Sequence, residues 1–109
     1  MMQIDLLLEI VATYRKHEWQ LRRVLLTEAD ATVTLKEHPA VAGAAVELSA
    51  LDALWFSRPS HQNREAWELR LIAETPYAIF ETFEADETEE ERDEVRVEME
   101  ARMREYVSR

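Results

Sequence analysis

The chain has 109 residues, a formal net charge of −10 and no cysteine. This length predicts one domain, residues 1–109, with one core and no separate catalytic domain. The lack of cysteine excludes a disulfide framework and thiolate chemistry, and the single glycine, Gly43, excludes glycine-rich phosphate loops. Because phosphate backbones repel so acidic a chain, nucleic acid is not an expected partner.

The chain carries no sign of export or membrane insertion. No uncharged stretch approaches the roughly 20 residues that span a bilayer. Asp5 and Glu9 interrupt the apolar run near the N-terminus, which also lacks a basic leader, and this argues against a signal peptide. We therefore expect a cytoplasmic protein with no membrane partner. Arginine outnumbers lysine 11 to 2, which favours a bacterial source with a GC-rich genome.

The N-terminal part is predicted to form a helix and then a strand. Apolar side chains recur at helical spacing from Ile4 to Val11, which predicts a helix over residues 3–16. A strand is predicted over residues 19–27, with a bulge where its apolar positions change parity. A single long helix that continues to Leu26 is the alternative.

The middle of the chain is predicted to be mostly extended. Residues 32–35 have β propensity and are assigned a short strand, with a helix that starts at residue 27 as the alternative. A second β region covers residues 46–58 and is broken near residues 49–50. A cluster of turn-forming residues follows it.

Residues 65–84 are predicted to form a β-hairpin. Apolar and charged side chains alternate along its first half with the period of two that is typical of a strand with two different faces. Thr75 and Pro76 are assigned to the turn, and the chain returns as a second strand from Tyr77.

The last element is predicted to be a helix over residues 89–107. Thr88 and Glu91 have the spacing of a capping box, and the acids that follow complement the helix dipole. The elements together predict a two-layer α+β fold. It contains an N-terminal helix, an antiparallel sheet of three to five strands, and a C-terminal helix packed on the sheet.

The hairpin predicts which side chains share a face of the sheet. A two-residue turn pairs Arg70 with Glu81, and the preceding turn places Leu54 and Phe56 with Leu69 on the core face. The opposite face then mixes aromatic, aliphatic and charged side chains, which indicates an interface rather than a solvated surface. We call it the mixed face, and its predicted members are Trp55, Glu68, Arg70, Ile72, Tyr77, Ile79, Glu81 and Phe83. The alternative is that one helix covers each face.

These patterns favour a non-enzymatic interaction or regulatory protein that forms a homodimer through the mixed face. Its aromatic and aliphatic members, Trp55, Tyr77, Ile79 and Phe83, are the expected anchors. One alternative is an acidic inhibitor or immunity-type protein that covers a basic protein partner. Its predicted acidic partner surface consists of Glu84, Asp86, Glu87, Glu89 and Glu90.

A second alternative is a small-ligand binder with a pocket between the sheet and the helices. Trp55, Glu68, Arg70 and Glu81 are its predicted lining residues, because apolar walls and a nearby arginine tune a carboxylate. No motif indicates catalysis: the three histidines are scattered, and the acidic run lacks the pattern of a calcium loop. We therefore assign no catalytic residue, no metal ligand and no cofactor.

Overall fold

The computed structural model describes residues 3–109. The helices are α1 (Ile4–Lys16), α2 (Ala29–Lys36) and α3 (Glu89–Val107). The strands are β1 (Gln20–Leu26), β2 (Ala45–Leu48), β3 (Ala53–Pro59), β4 (Glu65–Leu71) and β5 (Ala78–Phe83). Short 3₁₀ turns occupy Pro39–Val41 and His61–Asn63.

The five strands form one sheet in the order β2-β1-β3-β4-β5. Three of the four neighbouring pairs are antiparallel, and β1 pairs with β2 in parallel. Because parallel strands need a crossover connection, α2 lies between β1 and β2 in the chain. The predicted α+β class is confirmed, with a mostly antiparallel sheet and α3 packed on it.

Helices cover both sides of the sheet. On one side, which we call the α1 side, Leu7 and Val11 of α1 pack with Leu54 and Phe56 of β3. On the other, the α3 side, Met99 of α3 packs over buried side chains of β3, β4 and β5. The structure therefore has three layers instead of the predicted two, with a helix on each face of the sheet as in the alternative.

Local signals account for several element boundaries. The pairing of β1 with β3 shifts between Leu21 and Arg23, which confirms the predicted bulge. The strand predicted for residues 32–35 is wrong, because these residues lie in α2, as the alternative held. Their β propensity yields to tertiary packing, which buries Leu35 in the core on the α1 side.

The capping box at the start of α3 is confirmed. The Glu91 N–H donates to Thr88 Oγ1 at 3.1 Å, and the Thr88 N–H donates to the Glu91 carboxylate at 2.8 Å. The backbone hydrogen bond from Thr88, and then its side chain, lower the pKa of Glu91. Because the folded pKa of Glu91 lies below its unfolded value, the hydrogen bonds to the ionised Glu91 carboxylate contribute to stability at a pH above the unfolded pKa. This contribution is lost as the pH falls through the folded pKa.

Replacing Thr88 by alanine is expected to lower the free energy of unfolding at neutral pH by about 1 kcal/mol. Urea denaturation measures the loss, which we expect to shrink in acid as Glu91 protonates. Thr13→Ala is the control, because the Thr13 hydroxyl only donates to the Glu9 carbonyl within α1. Equal losses in the two variants would contradict a capping role for Thr88.

Candidate functional site

The predicted mixed face is divided between the two sides of the sheet. Trp55 lies opposite Leu69, which lies opposite Ile79, so these three side chains share the α3 side. Leu54 and Phe56 belong to the core on the α1 side. The prediction that grouped Leu69 with Leu54 and Phe56 is therefore wrong, because a shift of one residue in pairing exchanges the two faces of a strand.

The predicted pair of Arg70 with Glu81 is also wrong. Arg70 lies opposite Ala78, and Glu81 lies opposite Trp67. The connection between β4 and β5 runs through residues 72–77 instead of a two-residue turn. This longer connection shifts the pairing by an odd number of residues and turns each β5 side chain to the other face.

The expected aromatic and aliphatic anchors are mostly covered by α3. Trp55 is fully buried, and its indole Nε1–H donates to the Glu100 carboxylate at 2.9 Å. Ile79 and Phe83 are buried in the same cluster. Side chains beneath a helix are not available to a second molecule, so Trp55, Ile79 and Phe83 are corrected from interface anchors to core residues.

Glu68 and Arg70 of β4, and Ile72 directly after the strand, lie on the α1 side, near Tyr14. Ile72 packs against the core there, and the Tyr14 hydroxyl donates a hydrogen bond to the Glu68 carboxylate. The Tyr14 ring stacks on Phe56 with centroids 4.1 Å apart. Burial, followed by the hydrogen bond to Glu68, raises the pKa of Tyr14 above its ordinary value, so the hydroxyl stays protonated even in moderately alkaline solution.

A groove of about 230 Å³ lies beside this cluster. Its lining residues are Leu6, Glu9, Ile10, Thr13, Tyr14, Arg70 and Glu74. The groove provides one guanidinium, two hydroxyls and two carboxylates. The predicted small-ligand pocket is not assembled as expected, because Trp55 and Glu81 lie on the other side of the sheet.

Strand β5 ends the sheet, and within residues 3–109 no strand pairs with its outer side. The Leu71 N–H donates to the Tyr77 carbonyl at 3.0 Å, which sets the alternation of hydrogen bonds between β4 and β5. The backbone groups that face outward therefore belong to Ala78, Phe80 and Thr82. Consistent with this, the Thr82 N–H donates to the carboxylate of its neighbour Glu81 at 3.0 Å instead of to β4.

An exposed aromatic ring accompanies this free edge. Phe80 is 56% exposed and meets the Trp19 ring edge to face, with centroids 6.5 Å apart. The Arg58 guanidinium lies 4.4 Å from the centroid of the Trp19 ring. Aromatic rings and arginine dominate the energetics of protein interfaces. Sequence reasoning missed Phe80, because the two-residue turn that places Ile79 on the mixed face puts the adjacent Phe80 on the core face.

Helix α3 runs antiparallel to β5. Near the end of the helix, Tyr106 stacks on Tyr77, with centroids 3.6 Å apart. Near its start, the Arg92 guanidinium lies 5.6 Å from the centroid of the Phe83 ring. The exposed charges at the start of the helix are acidic, with Glu89, Glu90 and Glu91, whereas Arg102, Arg104 and Arg109 accompany the exposed Glu105 at and after its end.

The predicted acidic partner surface is partly engaged within the chain. Glu84 pairs with Arg64 at 3.0 Å, Glu87 accepts from the Glu84 N–H at 2.7 Å, and Glu89 pairs with Arg96. Asp86 and Glu90 are exposed. Internal pairing lowers the charge available to a basic partner, and binding through this surface stays a prediction.

Within residues 3–109, no group of three or more His, Cys, Asp or Glu side chains is arranged to hold a metal ion. In the same residues no helix combines the length and apolar character needed to cross a bilayer. No protein-family model, curated protein or solved structure matches the chain. Its function has to be argued from its own contacts and charges.

Proposed function

We propose that this chain is a non-enzymatic interaction protein that forms a homodimer through the outer edge of β5. The observation that carries the proposal is the free backbone edge of β5 beside the exposed Phe80 ring. Edge strands are templates for pairing with another chain, and proteins usually protect them with lysine, proline or a bulge. The β5 sequence, AIFETF, contains no lysine and no proline, and its pairing with β4 shows no bulge. Its one protection is the Glu81 carboxylate on the Thr82 N–H.

In the proposed dimer, two β5 strands pair antiparallel about a twofold axis through their outward-facing groups, with the axis beside Phe80. This pairing sets Phe80 opposite Phe80 of the second copy, and Ala78 opposite Thr82. Residues in such hydrogen-bonded positions exchange both N–H···O bonds with their counterparts. The two Phe80 rings meet on the α1 side, where each is exposed in the single chain.

The charge on α3 favours a second copy over an unlike partner. Twofold pairing of β5 runs the two α3 helices antiparallel on one side of the joined sheet. The acidic start of each helix, including Glu91, then faces the last turn of the other, which includes Arg104. Complementary charge at the rim of an interface sets its orientation. It also offsets the repulsion between two copies of net charge −10, which physiological salt screens beyond about 8 Å.

Sedimentation velocity at physiological salt tests the dimer with the variants Phe80→Glu and Val33→Glu. Val33 is 69% exposed on α2, which packs at the β2 end of the sheet, so it makes a matched control for added charge. We expect the wild type and Val33→Glu to sediment as dimers. Phe80→Glu is expected to raise the dimer dissociation constant by about 100-fold or more, because two carboxylates would meet at the centre of the interface.

A second variant, Ala78→Pro, separates the edge from the Phe80 side chain. Proline here removes an outward-facing N–H and leaves the ladder between β4 and β5 intact. We expect a folded monomer, with the fold verified by circular dichroism. A wild type that stays monomeric at tens of micromolar would contradict the proposal, as would equal dissociation of the Phe80→Glu and Val33→Glu variants.

A further inference from the structure

A polar pocket of about 350 Å³ lies between the sheet and α3, and two of its lining residues belong to β1. Its lining residues are Arg22, Arg23, Trp67, Glu89, Asp93 and Arg96. Three guanidinium groups around one pocket are unexpected in a chain with 23 acidic and 13 basic residues. Since β1 and β5 are separated by β3 and β4, the pocket lies apart from the proposed dimer edge.

The bulge in β1 turns two consecutive arginines toward this pocket. Consecutive side chains of a regular strand point to opposite faces, and a bulge changes the direction of one of them. Arg22 is the extra residue where the pairing shifts between Leu21 and Arg23. Its guanidinium carbon lies 5.2 Å from the centroid of the Trp67 ring, and its Nη1 lies 3.5 Å from the Ser57 hydroxyl.

Arg96 provides a buried guanidinium on the helix side of the pocket. The residue is 4% exposed, and its guanidinium carbon lies 4.5 Å from the Trp67 ring centroid, so Arg96 and Arg22 lie against the same indole. Its Nη2 contacts the carboxylates of Glu89 and, at 3.6 Å, Asp93. Its Nη1 has no hydrogen-bond partner within residues 3–109. Buried donors without an acceptor are rare in native proteins and costly.

The two carboxylates that line the pocket are largely exposed to solvent. The side chains of Glu89 and Asp93 are 76% and 64% exposed. Ion pairs of exposed carboxylates contribute little to stability, so another anion can take their place at Arg96. Arg23 is paired with Glu47 at 2.6 Å, whereas Arg22 has no carboxylate partner among the described residues.

We propose that this pocket binds a small molecule through an oxyanion group, a phosphate or a carboxylate, held between Arg22 and Arg96. Guanidinium groups present paired N–H donors whose geometry matches such oxygens. The oxyanion replaces the carboxylates of Glu89 and Asp93 at Arg96 and adds an ion pair with Arg22. The Ser57 hydroxyl, buried beside Arg22, orients its guanidinium.

An NMR titration of the full chain at constant ionic strength tests the site, with inorganic phosphate and malonate as separate probes. We expect saturable shifts of the Arg22 and Arg96 amides and of the Trp67 indole, and the probe that binds more tightly identifies the oxyanion. Arg22→Gln is expected to weaken binding about tenfold or more. Arg15→Gln is the control, because it removes the same charge from an exposed position on α1.

Asp93→Asn tests the exchange of carboxylates. Removing a competing carboxylate is expected to tighten binding several-fold, an effect that a merely structural role of Asp93 would not produce. Unchanged or weaker binding in this variant would overturn the proposal. So would equal losses in Arg22→Gln and Arg15→Gln, which would indicate nonspecific charge, or the absence of saturable shifts with either probe at millimolar concentration.

Discussion

Replacing Trp55 by alanine is expected to lower the free energy of unfolding by about 3–5 kcal/mol. Trp55 is fully buried beneath α3, meets the Trp67 ring edge to face with centroids 5.9 Å apart, and donates to Glu100 at 2.9 Å. Alanine leaves a cavity that the sheet cannot close, since β3 is held between two neighbouring strands. The loss is a large part of the stability of an ordinary domain. Urea denaturation followed by circular dichroism measures it.

Two controls separate the contributions of Trp55. Trp55→Phe keeps an aromatic ring and removes the N–H, so we expect a smaller loss than with alanine. Val33→Ala changes an exposed side chain and is expected to alter stability by less than about 0.5 kcal/mol. All variants are compared at one protein concentration, because the proposed dimerisation would make apparent stability depend on concentration. A loss below about 1 kcal/mol for Trp55→Ala would contradict the packing of α3 on the sheet.

Elements with local signals could be predicted from the sequence. Thr88 and Glu91 mark the start of α3 because a capping box involves only residues three apart. The helical spacing of apolar residues likewise predicts α1, whose stripe of Leu7, Ile10 and Val11 is buried. The change of parity in β1 revealed the bulge, since that signal also lies within one strand.

The faces of the sheet could not be predicted in the same way. Which face a strand side chain occupies depends on the length of each connection, and an error of one residue exchanges the faces. The connection over residues 72–77 contains Thr75 and Pro76, and the sequence alone does not show where pairing resumes. The same limit hid the parallel pairing of β1 with β2, because strand order depends on contacts distant in sequence.

The candidate sites depend on such distant contacts even more. The Tyr14 hydroxyl contacts Glu68, a residue 54 positions away in the chain, and no local pattern indicates that contact. Arg22 and Arg96 meet at Trp67 because β1, β4 and α3 converge there. The acidic balance of the chain argues against a nucleic-acid partner and does not indicate a local cluster of arginines. A formal net charge describes the whole surface, whereas a binding site depends on the few charges that the fold brings together.

Neighbouring residues of β5 are expected to lose very different amounts of stability on the same substitution. Ile79→Glu places a carboxylate beneath α3, where Ile79 is buried among apolar side chains. Loss of the apolar contacts and burial of a carboxylate together are expected to lower the free energy of unfolding by about 4 kcal/mol or more. Phe80→Glu places the same group on the α1 side at an exposed position. We expect the free energy of unfolding of the Phe80→Glu monomer to fall by less than about 1 kcal/mol.

The two effects are best measured in one monomeric background. Urea denaturation of Phe80→Glu is compared with that of the double variant Ile79→Glu/Phe80→Glu, so that no difference arises from dimer dissociation. The comparison tests the pairing of β4 with β5 directly, because the two-residue turn expected from the sequence would place Ile79 on the opposite face from Leu69.

A double variant as stable as the single variant would contradict the observed pairing and support the one expected from the sequence. It would also return Ile79 to the open surface and Phe80 to the core. The proposed dimer would then lose its central contact, whereas the pocket beside β1, which involves no residue of β5, would be unaffected.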